Sequence, residues 1–409
     1  MATYLLLVLL CALCLFIVLY AKIRYKFLAE IVLIALIFRL ALVYADYYGF
    51  FAIPGGSDAG TFTDQARLWS ALSWSDLLAN FEPGSSKNYS AFGGVFYKIF
   101  GYHELMLPFL NVLSGTLIVF ITGVVIYKMW GRVAAQWGSS ILALYPFAAF
   151  NSAIALREEI SILAFAVGLY FLTKWLREES QVSIFFSLGF FGVATSIHPG
   201  WVGALVGLGC YSLYQFLRAI PLFFNGARVN FSYLGKLSTS LVIIILAFSF
   251  SAGGVSLGKG IEVGSDDQAG GVGELIESRF SRQATGGSAY PSAIATGDPF
   301  SQPWLIPARI VYFVFSPFPW DIRSPHHLIG FISTIMYFFL VWRIFKGWSR
   351  IKRKQECLAL LLMLGALTFV FAIGVTNIGT AIRHKTKFLL LFVVLAASSF
   401  DTLKIKLRK

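Results

Sequence analysis

Residues 27–47 read FLAEIVLIALIFRLALVYADY, twenty-one positions with only Glu30, Arg39 and Asp46 charged. A helix of that length crosses the hydrocarbon core of a bilayer. The run is apolar on every face, so it lacks the alternation of a barrel strand and the stripe of a soluble amphipathic helix. Working outward, similar runs occupy 3–20, 106–127, 134–152, 160–176, 182–197, 201–217, 237–253, 327–345, 356–375 and 387–400. The whole chain is 57% hydrophobic and only 13% charged, too little charge to cover a soluble surface. The reading is an all-α polytopic membrane protein with about eleven transmembrane helices, built as one integral-membrane domain over 1–409.

The loops set the orientation. Lys22, Arg24 and Lys26, then Lys128 and Arg132, Lys174 and Arg177, Arg218, Arg228 and Lys236, Lys346 through Lys354, and Lys404 through Lys409 all fall on one side of the expected spans. Basic residues collect on the cytoplasmic side, so this is the inner face. The same bias explains a net charge of +13 without invoking nucleic acid. The first run lacks a basic segment ahead of it and is expected to stay as an extra helix with its N-terminus outside, rather than act as a signal peptide. Cys11 and Cys14 form a CxxC inside an apolar run with no histidine nearby, which reads as small apolar filling rather than a zinc or redox site. A multi-pass membrane protein with its working surface facing away from the cytoplasm is expected.

Two long segments and one short one then lie outside. Segment 48–105 carries turn signals at Pro54-Gly55-Gly56 and Pro83-Gly84-Ser85 and is the expected catalytic loop. Segment 254–326, Gly-rich and then Pro-rich, is the second, expected to be functional because structureless loops this long usually are. Both hold too many aromatics for disorder, Trp69, Trp74, Tyr89, Trp304 and Trp320 among them, so short helices are expected inside them. Leu305–Phe315 is apolar but too short to span, and suits an interfacial or re-entrant helix. Segment 376–387 is expected to be an external hairpin joining the last two spans. No internal repeat is evident, so symmetric halves of the transporter kind are not indicated.

Several polar groups in these places need a reason. Asp58, in Gly56-Ser57-Asp58-Ala59, follows a span by about a dozen residues and is expected at the membrane surface, as a general base or a divalent-metal ligand. The competing reading is an N-cap for a helix over Ala59–Ser73. Asp64, six residues on, reads more simply as a solvated or paired residue. Arg157 and Glu158 sit at the outer end of a span, as ligand contacts, interface anchors or an ion pair. Arg383, His384 and Lys385 place positive charge outside, against the usual bias, and an anion such as a lipid phosphate is the expected compensation; pairing with acidic external loops is the alternative. Asn377 opens that segment. Arg39 inside a span is expected to be structural, pairing with Glu30 or a loop carboxylate, or reaching outward. His198 marks a tight turn; Tyr290, Arg309 and Trp320 are further candidate contacts in the second loop, where Arg279, Arg282 and Arg323 add external charge. The rigid stretch Pro317-Phe318-Pro319-Trp320-Asp321 suits stacking on a sugar ring, on lipid tails, or an interface belt.

In this order, Phe38-Arg39-Leu40, Gly56-Ser57-Asp58-Ala59, Ala91 through Gly101, Leu110-Asn111, Tyr145-Pro146 and Leu156-Arg157-Glu158 resemble the GT-C superfamily of integral-membrane glycosyltransferases, which includes protein O-mannosyltransferases and the aminoarabinose transferase of lipid A. The resemblance is clearest over 27–180. The segments around Pro317–Trp320 and Asn377–Lys387 look like those of membrane proteins from bacterial surface-polysaccharide clusters. The resemblance implies that Asp58 is the catalytic base and that the donor is a sugar on a polyprenyl phosphate or diphosphate. The chain departs from the family in its extra first span and in lacking a separate soluble C-terminal domain, which would leave acceptor recognition to the membrane part and to 254–326.

The expected function is therefore transfer of a lipid-linked sugar to a glycan or lipid-linked acceptor in envelope polysaccharide synthesis. Asp58 takes the acceptor proton, and Arg157, Arg383, His384 and Lys385 hold the phosphate, with Glu158 beside them. No cofactor is required by this reading; a divalent ion, Mg or Mn, would use Asp58. An oligosaccharide repeat-unit polymerase of the O-antigen type is the alternative, and needs external arginines but no acidic base. A lipid-linked glycan flippase would need charges lining a path through several spans, where only Arg39 and Glu30 lie well inside.

Overall fold

The computed structural model describes residues 2–82, 85, 87–178, 180–224, 288–295, 302–322 and 325–402. The expected span 237–253, most of 254–326 with Arg279, Arg282 and Arg323, and the basic tail lie outside the described residues. Everything described is helix, turn or coil, apart from one isolated antiparallel bridge between Ala289 and Asn377.

The helices are α1 (Ala2–Arg24), α2 (Lys26–Tyr47), α3 (Gly56–Ser70), α4 (Trp74–Ala79), α5 (Asn88–Phe100), α6 (Met106–Trp130), α7 (Arg132–Leu144), α8 (Pro146–Ala153), α9 (Glu158–Glu178), α10 (Gln181–Ile197), α11 (Val202–Phe224), α12 (Ile306–Phe315), α13 (Pro325–Lys346), α14 (Gln355–Gly374), α15 (Ile378–Lys387) and α16 (Leu389–Ala396). Among the described residues, six are long and apolar enough to cross a membrane: α1, α2, α6, α9, α13 and α14. The expected span 134–152 is a broken one, α7 and α8 meeting at 56°, and counts as a seventh. The protein is thus a multi-pass helical membrane protein; the described residues supply six or seven spans by length and composition, where about eleven were expected over the whole chain. The expected spans at 182–197 and 387–400 are shorter apolar helices, the latter finishing in a 3-10 stretch, Ala397–Thr402.

The break between α7 and α8 has a local cause. Pro146 has no N–H to continue α7, but its fixed φ suits the first turn of α8.

Two compact units divide the chain: Met1–Tyr170 with Gly192–His198 and Ala396–Lys409, and Phe171–Phe191 with Pro199–Leu395. In the first unit, α6 is the central element, packed by α1, α2, α7 and α8. Its buried residues run all round, from Met106 to Met129, whereas α1 buries only the stripe Leu6, Leu10, Cys14, Ile17 and Ala21. Segment 48–105 folds as α3, α4 and α5. Ser73 caps α4 by accepting from Asp76 N at 3.1 Å. Ser90 Oγ donates to Phe62 O at 3.1 Å and ties α5 to α3. In the second unit α11 and α12 pack on α14, and α15 lies against α12, α13 and α14.

Segment 376–387 is not a hairpin. It is the helix α15, and Asn377 caps it by accepting from Gly379 N at 2.9 Å and Thr380 N at 3.3 Å. Its sequence has the composition of a loop, but an Asn followed by Ile378, Ala381, Ile382 and Lys385 on one face is a capped amphipathic helix. The 305–315 stretch is likewise the short helix α12, of ten residues, as its length required.

Candidate functional site

The first unit brings Asp58 and Arg157 into one neighbourhood. Asp58 lies in the first turn of α3 and is exposed. It does not cap the helix: the N-cap is Gly55, at φ 102°, a left-handed conformation that glycine adopts without strain. The acidic side chain in the first turn still complements the helix dipole.

Gly55 faces the segment that enters α9. A methyl group on its Cα would stand 3.5 Å from Ile154 Cδ1 and 3.6 Å from Leu156 Cδ1. Arg157 follows directly, and its guanidinium lies over the Phe62 ring, 5.8 Å from the centroid. Phe62 is four residues past Asp58, one helical turn along the same face of α3. The turn carrying the carboxylate and the residue carrying the guanidinium are therefore held against each other by apolar contact.

Beneath this pair the support is polar and buried. Asn111 on α6 is fully buried and donates from Nδ2 to Ile154 O at 2.7 Å and Leu156 O at 2.9 Å. Tyr89 OH on α5 donates to Asn111 Oδ1 at 3.5 Å, and the Tyr89 ring meets Phe62 edge-on at 5.5 Å. Burial, with Tyr97 nearby, pushes the Tyr89 phenol well above its ordinary range, so it stays a donor.

Glu158 and Glu159 open α9 and are both buried. Glu158 thus stands at a helix N-terminus, where its charge is favoured, and not on an open surface facing a ligand. Glu159 hydrogen-bonds Ser152 and is electrostatically coupled to Arg39. Arg39 donates from Nε to Ser152 Oγ at 3.1 Å, from NH1 to Ala35 O and Ala143 O at 3.2 Å each, and from NH2 to Leu142 O at 3.3 Å. Its hydrogen-bond partners are thus Ser152, its own helix and the broken end of α7, with Glu159 coupled electrostatically, and not Glu30. Asp64 lies six residues beyond Asp58, 240° round the helix, on the side of Tyr97, Tyr102 and Arg67. His198 is buried where α10 ends in the 3-10 turn Pro199–Trp201.

The remaining candidates belong to the second unit, and most of them serve the fold. Lys385 is fully buried; its amine donates to Val314 O at 3.1 Å, in the last turn of α12, and to the C-cap Ser316 O at 2.7 Å. It also lies 4.9 Å from the Tyr337 ring centroid, and Tyr337 OH donates to Lys385 O at 2.9 Å. Burial pushes the Lys385 amine down to about 7. Arg309, equally buried, donates to Ile373 O at 3.4 Å, near the end of α14. His384 Nδ1 is 2.7 Å from Lys387 Nζ, and the His384 ring packs on Phe371 at 4.9 Å. Arg383 is the basic residue of α15 that is only half-buried. Tyr290 is buried against Tyr312, and its N–H donates to Thr376 O at 2.9 Å. Trp320 is exposed, stacked on Phe318 at 4.8 Å, with its indole N–H donating to Tyr312 OH at 3.0 Å. Sequence reasoning missed Asn111 and Phe62 as site residues. A lone Asn among apolar residues of a span was the signal available for the first; nothing marked the second.

The fold has a counterpart among solved structures. The crystal structure of ArnT from Cupriavidus metallidurans bound to undecaprenyl phosphate superposes over 93% of this chain and 61% of its own, with a TM-score of 0.52 at 13% identity. The chain spans about three fifths of that protein's length. The apo structure of the same enzyme matches at a TM-score of 0.34 and 14% identity, over 84% of this chain and 72% of its own. No protein-family model matches the sequence, and no curated protein matches it. At such identity the likeness is one of fold.

Proposed function

We propose that this protein is a membrane glycosyltransferase of the GT-C type. In this reading it moves a sugar from a polyprenyl-phosphate or -diphosphate carrier to a glycan or lipid-linked acceptor, on the extracytoplasmic side of a bacterial plasma membrane. The observation that carries the reading is the Asp58 turn packed against the Arg157 segment, in a fold like that of an enzyme crystallised with undecaprenyl phosphate.

The chemistry follows from those two groups. Asp58 takes the proton of the acceptor hydroxyl, and the oxygen forms a bond to the anomeric carbon. The bond from that carbon to the carrier phosphate breaks, and Arg157 meets the charge left on the phosphate through paired N–H donors. The ring of Phe62 fixes the guanidinium plane, a preorganisation that a lysine would lack. Arg383, half-buried on α15 of the second unit, is a separate candidate for anion binding on that unit. Lys385 and His384 leave the assignment, since their nitrogens face carbonyls and Lys387. Among the described residues no group of three or more His, Cys, Asp or Glu is placed to hold a metal, so no step is routed through one. A Mg or Mn dependence remains tied to Asp58 and would show as loss of activity with chelator.

The test is Asp58→Asn in reconstituted protein, following release of undecaprenyl phosphate from a lipid-linked sugar donor. Loss of about two orders of magnitude is expected for a general base. Near-full activity excludes the mechanism and favours a repeat-unit polymerase.

A further inference from the structure

Asn111 is polar, fully buried and 46 residues in sequence from Arg157, the nearest of the expected contacts. In a membrane helix such a residue needs partners. Both its amide hydrogens are directed at one short segment, to Ile154 O and Leu156 O. That segment is extended at Ile154, between the end of α8 and the start of α9, outside either helix ladder, and Leu156 N–H also donates to Ile154 O at 2.8 Å. One side chain supplies both amide bonds. The amide is itself oriented: Tyr89 OH donates to Oδ1, which fixes Nδ2 on the carbonyl side.

We propose that Asn111 is a positioning residue that sets Arg157 against the Asp58 turn. The inference rests on the transferase reading. Asn111 touches neither Asp58 nor Arg157, and acts through the main chain of 154–156. Ile154 and Leu156 are also the side chains that meet Gly55, so the same two residues connect the amide below to the carboxylate turn above. Tyr89 closes the circuit, because its ring packs on Phe62, the residue under the Arg157 guanidinium.

The experiment uses full-length protein in detergent, with undecaprenyl phosphate as the probe, and Asn111→Leu in both the parent and an Arg157→Ala background. Hydrogen exchange across the chain is followed in parallel. Asn111→Leu is expected to weaken probe binding about tenfold in the parent and to add nothing once Arg157 is gone, with faster exchange confined to 154–158. An equal loss in both backgrounds, or exchange raised throughout the first unit, overturns the proposal in favour of a general structural role. Unchanged binding with unchanged exchange overturns it too. Should the unsubstituted protein not bind the probe, the transferase reading fails, and the exchange pattern alone then decides whether Asn111 holds 154–158. If Asn111→Leu does not fold, Tyr89→Phe takes its place, since it keeps both carbonyl bonds and only frees the amide; a smaller loss of the same pattern is expected and its absence counts against the proposal.

Discussion

Arg39 Nε donates to Ser152 Oγ across 3.1 Å, joining α2 to α8 at the point where α7 has just ended. Three more of its bonds go to main-chain carbonyls, two of them at the end of α7. Arg39→Met should leave Ser152 Oγ and the carbonyls at the end of α7 without their donor, at a cost of about 1–3 kcal/mol, read as a lower unfolding temperature in detergent. Gly115→Ala should act on the same pair by crowding. A methyl there collides with Ser152 Oγ and comes within 2.7 Å of Arg39 Nε, an overpacking cost of about 1–3 kcal/mol.

The two acidic residues of α3 should separate cleanly. Asp58 and Asp64 are both exposed, so neither Asn variant should shift stability by more than about 0.5 kcal/mol. Transfer activity should fall about a hundredfold for Asp58→Asn and stay within about twofold for Asp64→Asn, which is turned toward Tyr97 and Tyr102. Equal losses would mean that α3 as a whole, not its first turn, carries the function.

Arg157 and Phe62 should behave as a unit. Phe62→Leu removes the ring under the guanidinium, worth about 0.5–1 kcal/mol, and should raise the donor KM a few-fold with kcat little changed. Arg157→Lys keeps the charge but loses the fork and the stacking, and should be the more damaging substitution. A measured Phe62→Leu effect that persists undiminished in Arg157→Lys would contradict the coupling.

Lys385 gives the protein a pH-dependent stability. Its amine titrates near 7 in the folded state and near 10.5 when exposed, so between those values the unfolded chain binds more protons. Stability should therefore rise as pH increases from about 7 toward 10, and the contribution is lost as pH falls through 7. Urea titration at several pH values should show this slope, and Lys385→Met should flatten it. Tyr337→Phe, which loses only the bond to Lys385 O, should keep the slope.

The long spans were legible because hydropathy over twenty residues is a local property. The broken span at Tyr145-Pro146 was legible only as a continuous run, since Pro146 signals a possible helix start as readily as a kink. The basic residues were the harder matter. Lys385 lies 71 and 69 residues from its two acceptors, and Arg39 lies 103, 104 and 113 residues from three of its own. Those acceptors, except Ser152, are main-chain carbonyls at helix ends, a partner that leaves no mark in side-chain sequence. A positive charge outside its usual side thus read as a demand for an anion. In Lys385 and Arg309 the demand is met by helix termini inside the protein. The Asp58 motif is short and local, so the sequence could offer it as a candidate; Asn111 and Phe62 matter only through chain brought to them by folding.

The bonds of Arg39 also carry a consequence for biosynthesis. At roughly 5–20 residues per second, Ser152 leaves the ribosome on the order of ten seconds after Arg39 does. During that interval α2 carries an arginine mid-helix with its later partners not yet made, a burden of about 2.5–3.5 kcal/mol for stable insertion. Nascent chains arrested ahead of α7 should stay at the insertion machinery, and those extended past α8 should move into lipid, so that the second helix is released by the seventh and eighth.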